Sequence, residues 1–99
     1  MSCINILCIP RINSNICETT IYKVFERLNI GIIERIDIVK KKNKKGELFN
    51  CAFIHLNKWN NTENSKIACE RLSKGKEIKI IYDNYLFWKV SAYKKHEYF

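Results

Sequence analysis

Apolar and polar positions along the chain follow two periods. From Cys3 to Ile9, Ile4 and Ile6 alternate against Asn5 and Leu7, the signature of a strand, with Pro10 closing it because its ring carries no backbone donor. Residues 11–16 are rich in Asn and Ser and read as a loop. Ile21, Val24, Phe25 and Leu28 then recur at i, i+3, i+4 and i+7, one stripe of an amphipathic helix, with Tyr22, Lys23, Glu26 and Arg27 on its wet side. Gly31 stands where a helix-ending glycine belongs. A second strand is expected over 32–39, with Ile36 and Ile38 on one face and Arg35, Asp37 and Val39 on the other.

The run Lys40-Lys41-Lys42-Asn43-Lys44-Lys45-Gly46 reads as a mobile loop rather than a packed element. Beyond it, Ala52, Ile54 and Leu56 alternate with Phe49, Cys51, Phe53 and His55, so a third strand with two distinct faces is expected to about Leu56. Asn61 or Thr62 can cap a second helix whose apolar stripe is Ile67, Ala68 and Leu72, with Gly75 at its end. Two β-prone stretches, 77–82 and 85–93, flank Asp83-Asn84, a two-residue turn. The order is β-α-β-β-α-β with a small extra strand before the last. That predicts an α+β fold: a ferredoxin-like βαββαβ sandwich, a four-stranded antiparallel sheet with two helices on one face.

With 99 residues the chain fits one domain, taken as 1–94 with a tail at 95–99. Its net charge of +8 favours polyanionic partners. Five cysteines without a Cys-x-x-Cys pair or regular spacing point to reduced thiols rather than a disulfide scaffold or a zinc site. No apolar run is long enough for a membrane span, and no leader pattern precedes the first strand, so no membrane partner and an intracellular location are expected.

Residues Phe49–Leu56 resemble the longer RNP motif of the RNA recognition motif (RRM) family, basic-Gly-aromatic-Gly/Ala-aromatic-aliphatic-x-aromatic. Ala52 takes the small position, Phe53 the second aromatic, and Ile54 and Leu56 the core positions. Cys51 stands in place of the first stacking aromatic, Phe49 in place of the basic residue and Asn50 in place of the glycine. The shorter motif would be residues 4–9, with Asn5 at its stacking position. Of three platform aromatics only Phe53 remains. The resemblance covers about Cys3 to Lys94. A closer resemblance is to small uncharacterised RRM-like proteins of nucleocytoplasmic large DNA viruses. It rests on residues 3–11, 34–39, 53–59 and 81–92 and implies a viral source, in the host cytoplasm or nucleus or in the virion, but no reaction.

The RRM resemblance implies single-stranded RNA bound on the open sheet face and by the basic loop between strands 2 and 3. Phe53 leads as a stacking platform, with Phe49 on the same face. Phe87 and Tyr93 join them if Trp88 and Val90 point to the core; the opposite parity exposes Trp88. Lys40, Lys41, Lys42, Lys44 and Lys45 supply phosphate contacts, extended by Arg35, Lys89, Lys94 and Lys95. Asn5 could read a base edge and Asp37 could receive a base amino group. Cys51 and His55 share a face but lie roughly 13 Å apart along the strand, too far to share an ion, so no metal or cofactor is expected. His96 sits in the tail. No nucleophile–base constellation or proton-sharing carboxylate pair marks an enzyme. The rival reading is a degenerate RRM-like module that binds protein or a second copy through a dry patch of Leu7, Val39, Phe49 and Phe53.

Overall fold

The Ile21, Val24 and Phe25 stripe forms a helix, α1 (Glu18–Leu28), and these three are its buried side chains. In the computed structural model, which describes residues 5–93, α1 lies between β1 (Ile6–Ile12) and β2 (Gly31–Lys42). There follow β3 (Leu48–Trp59), α2 (Glu63–Ser73), β4 (Ile78–Asp83) and β5 (Leu86–Ala92). The fold is α+β, with five antiparallel strands in the order β2-β3-β1-β5-β4 and two helices. The expected four-stranded sheet is thus corrected to five, because β4 pairs with β5 from Ile78↔Val90 to Asp83↔Leu86. The β4–β5 hairpin hangs from one end of the sheet, since β5 meets β1 only at Leu7↔Ala92 and Cys8↔Ser91.

Leu7, Ile9, Ile54 and Val90 from the sheet and Ile21, Phe25 and Leu72 from the helices are fully buried in one cluster. Both helices therefore cover the same sheet face, leaving the other helix-free. Thr62 caps α2 by accepting from the Ser65 N–H at 3.1 Å. The buried side of α2 is Ser65, Ala68, Cys69 and Leu72, not the expected stripe through Ile67. The helix packs on the sheet through small side chains, and that orientation leaves Ile67 exposed.

Several boundaries move for reasons that lie in pairing. β1 does not stop at Pro10: the ladder runs from Ile9↔Ala52 to Ile12↔Asn50, so a bulge absorbs Pro10 and Arg11. The residue that turns left-handed after α1 is Asn29 (φ 55°), whereas Gly31 opens β2. A Cβ on Gly31 would stand 2.6 Å from the Lys58 carbonyl oxygen, so close approach of backbones is what requires glycine there. The β4–β5 turn is Asn84-Tyr85, one residue later than expected, with Asn84 at φ 40°. The tail at 95–99, with His96 and Lys95, lies outside the described residues, as do Lys94, Cys3 and Ile4.

The lysine run is strand and tight turn rather than an irregular loop. Lys40, Lys41 and Lys42 pair with Asn50, Phe49 and Leu48 at the end of β2. The connection is then organised by Asn43, whose Oδ1 accepts from the Lys45 and Glu47 amides, each at 2.9 Å, while its amide group donates to Glu47 Oε1 at 2.8 Å. Gly46 supplies the positive φ of 85° that closes the turn.

Candidate nucleic-acid interface

Two offset bulges decide which side chains reach the helix-free face. β3 carries one extra residue between Ile32↔Lys58 and Ile33↔Leu56, and β2 carries one, Glu34, before Arg35↔His55. After Glu34, Ile36 and Ile38 turn to the core while Arg35, Asp37, Val39 and Lys41 turn outward. Opposite them on β3 stand His55, Phe53, Cys51 and Phe49 in that order. On β1, Ile6 faces His55 and Cys8 faces Phe53.

At the centre of this face the Phe53 and Tyr93 rings meet edge to face, with centroids 5.0 Å apart and planes at 71°. The Tyr93 N–H donates to the Ile6 carbonyl at 2.9 Å, which places its ring over this row of the sheet. Ile6, Asp37, Phe53, His55 and Tyr93 line a depression of about 190 Å³. At its rim His55 Nε2 is 2.9 Å from Asp37 Oδ2, and Arg35 Nε is 3.4 Å from the same oxygen. A carboxylate only accepts, so the proton of this contact belongs to His55 Nε2. Phe53, Tyr93, Asp37 and Arg35 are thereby brought together.

The other aromatics divide. Phe49 lies on the same face, but the Arg11 guanidinium covers its ring at 4.4 Å from the centroid. Its stacking surface is already occupied from within the chain. Trp88 is the inward partner on β5, 3% exposed and stacked on Tyr82 at 4.4 Å. Phe87 takes the outward parity, 42% exposed, with Lys79 Nζ at 4.9 Å from its ring centroid. Phe87 belongs to the hairpin and not to the Phe53 depression.

Three expectations are corrected. Asn5 precedes β1 with the pleat parity of the core residues Leu7 and Ile9, so its side chain is not on the platform; the outward positions are Ile6 and Cys8. Its backbone still serves the sheet, the Asn5 carbonyl accepting from the Leu56 N–H at 2.8 Å. Leu7 is fully buried and cannot join a surface patch. The cause is common to both: β1 is a central strand, apolar on each face, so its alternation carries no face information. Cys69 is disulfide-bonded rather than a reduced thiol, because spatial pairing of cysteines is not written in their spacing.

Cys8, Cys17 and Cys51 are free thiols. Cys51, 4% exposed, places its Sγ 3.8 Å from Cys8 Sγ on the neighbouring strand. Burial first, and the Cys51 thiol beside it second, push the Cys8 thiol up to about 12, with Lys41 opposing them. Cys17, exposed before α1, goes the other way: the Thr20 amide and then its hydroxyl lower it.

Lys41 points outward opposite Phe49, whereas Lys40 and Lys42 take the opposite parity and Lys44 and Lys45 sit in the turn. The basic set therefore brackets the end of the β2–β3 ladder instead of forming one patch. Lys41 is four residues up β2 from Asp37, roughly 13 Å from the row that holds Phe53. Lys89 is four residues from Tyr93 toward the same end of the sheet, since β5 is antiparallel to β1, and it pairs with Lys79 on the hairpin. Arg11, Ile6 and His55 belong to this face but escape a reading of charge and aromatics alone. The parity of β3 is the signal that assigns His55; Ile6 and Arg11 had none, because β1 is apolar on both faces and its bulge breaks the alternation before Arg11.

No family model, curated protein or solved structure matches the chain. Among the described residues no helix is long and apolar enough to cross a membrane, and no group of three or more His, Cys, Asp or Glu side chains is placed to hold a metal ion.

Proposed function

We propose that this chain is a single-stranded RNA-binding protein that uses the helix-free face of its sheet. The observation that carries the reading is the Phe53–Tyr93 pair at the centre of that face, with Arg35 beside its row and Lys41 toward the β2–β3 turn. An aromatic ring on an open sheet stacks a base at about 1–3 kcal/mol, whichever base it is. Lys41 and the turn lysines add salt-dependent phosphate attraction without reading sequence. In architecture we read a ferredoxin-like, RRM-type βαββαβ sandwich: β5-β1-β3-β2 are its four strands, and β4 is an added strand at the edge.

NMR titration with short random-sequence single-stranded RNA at low salt tests this. The expected result is shifts centred on Phe53, His55 and Tyr93 that weaken as salt rises. Absence of any shift at millimolar RNA overturns it.

A second reading, a protein-binding or self-associating module, rests on a different surface. Ile81 pairs with Phe87 on the hairpin, and both are exposed together with Tyr85 and Leu86. It expects association that is insensitive to neutralising the lysines. A chain that stays monomeric at high concentration and captures no partner argues against it.

A further inference from the structure

We infer that the depression beside Phe53 selects guanine, whose N1–H and N2–H groups are received by the Asp37 carboxylate. The inference rests on the RNA-binding reading and names what that site prefers.

Asp37 stands directly across from Phe53 on the neighbouring strand, on the same face, and lines the same depression. A lone carboxylate on an RNA-binding surface repels phosphate, so its presence at the centre of a basic protein asks for a partner that donates. His55 and Arg35 both approach Oδ2, at 2.9 and 3.4 Å, which anchors the carboxylate and offsets its charge. Among the described residues the close contacts fall on Oδ2 and leave Oδ1 open, and the side chain is 48% exposed, so the group is both held and available.

The chemistry of the base edges then decides. A carboxylate accepts and never donates. Uracil offers one N–H flanked by two carbonyl oxygens, which would meet the carboxylate with like partial charge. Cytosine and adenine each offer an amino group beside a ring nitrogen acceptor. Guanine alone presents two adjacent donors, parallel and spaced for the two carboxylate oxygens, the arrangement that makes guanidinium–carboxylate pairs strong. A guanine with its plane on Phe53 and its Watson–Crick edge toward β2 meets both requirements.

The arrangement also accounts for His55. It lies two residues from Phe53 on β3 and its Nε2 holds Asp37 Oδ2 at 2.9 Å, acting as a positioning residue. Arg35 is exposed and reinforces the same oxygen.

The test uses the full chain and five-nucleotide RNAs that differ only at the central base, in a uridine background: guanine, adenine, cytosine, uracil and inosine. A bidentate contact discriminates by about 1–3 kcal/mol, so guanine should bind roughly five- to 150-fold tighter than uracil, with inosine, which lacks N2–H, in between. Asp37→Asn preserves shape on an exposed side chain and exchanges one acceptor for a donor. It should erase the guanine preference while the uracil RNA keeps its affinity or gains. Equal affinity for all five RNAs, preference for another base, or an unchanged preference in Asp37→Asn overturns the inference and leaves RNA binding standing. No binding of any RNA removes the RNA-binding reading and this one with it.

Discussion

The edge of the Tyr93 ring meets the Phe53 ring with 5.0 Å between centroids. An aromatic of β3 and the residue that follows β5, from either side of β1, thus support each other over the middle of the sheet. Phe53→Ala should lower RNA affinity by about 1–3 kcal/mol, roughly five- to 150-fold. Tyr93→Ala should cost less, since it removes the prop and not the platform. A double-mutant cycle on folding stability should return a coupling of about 0.5–1.5 kcal/mol. Asn5→Ala, off the platform by parity, should leave affinity unchanged. Equal losses for Asn5→Ala and Phe53→Ala would contradict this geometry.

The lysines predict a length dependence. Lys44 and Lys45 sit in the turn beyond Lys41, farther along the strand than the roughly 13 Å that separates the Lys41 backbone from the Phe53 row, and so beyond the reach of one nucleotide seated there. A mononucleotide should therefore bind with almost no salt dependence from these lysines, and the slope of log affinity against log salt should steepen as the RNA lengthens. Changing Lys44 and Lys45 together to Gln should flatten that slope for long RNA only. A slope that does not vary with length would show that the turn does not touch RNA.

The free thiols should separate by reactivity. At about pH 8, iodoacetamide should modify Cys17 first and Cys8 last, read by peptide mass. The sign on stability follows from Cys8. Below pH 9.0, its ordinary value, folded and unfolded chains both keep the proton and the thiol contributes nothing. Between there and about 12 the unfolded chain releases it and the folded chain does not, so stability falls with rising pH. Cys8→Ser should make that alkaline decline shallower; an identical pH profile would contradict the buried, protonated thiol.

Gly31→Ala should destabilise the fold by about 1–3 kcal/mol, because the added methyl meets the Lys58 carbonyl oxygen, a backbone atom, at 2.6 Å. Gly46→Ala has space around it and is strained only by its φ of 85°. Its cost should be near 1 kcal/mol. Urea denaturation of the two variants distinguishes a packing glycine from a turn glycine; equal costs would remove the distinction.

What could be read from the chain follows from how local the cause is. The α1 stripe was legible because the helix is apolar on one side only, and the Ala52, Ile54 and Leu56 set because His55 marks the alternate positions of β3 as the outer face. The outward set Arg35, Asp37 and Val39 was legible too, since charge cannot sit in the core. β1 was not, because Ile6, Leu7, Cys8 and Ile9 are apolar on both faces and a slip of one residue costs the pattern nothing. The lysine run read as a loop by composition, yet cross-strand pairing with Leu48–Asn50 makes it a ladder. The ring pair of Phe53 and Tyr93, 40 positions apart in the chain, and the Arg11 cover on Phe49 are tertiary facts with no local signature.

The extra residue at Glu34 works as a reading frame for the strand that follows. Its side chain is exposed, so most substitutions there should be silent. Deleting it is a different kind of event. Every later residue of β2 would move one pleat, sending Arg35, Asp37, Val39 and Lys41 toward the helices and lifting Ile36 and Ile38 onto the surface. A position indifferent to what occupies it is thus intolerant of being absent, and in a lineage of such chains length at Glu34 should be held more strictly than letter.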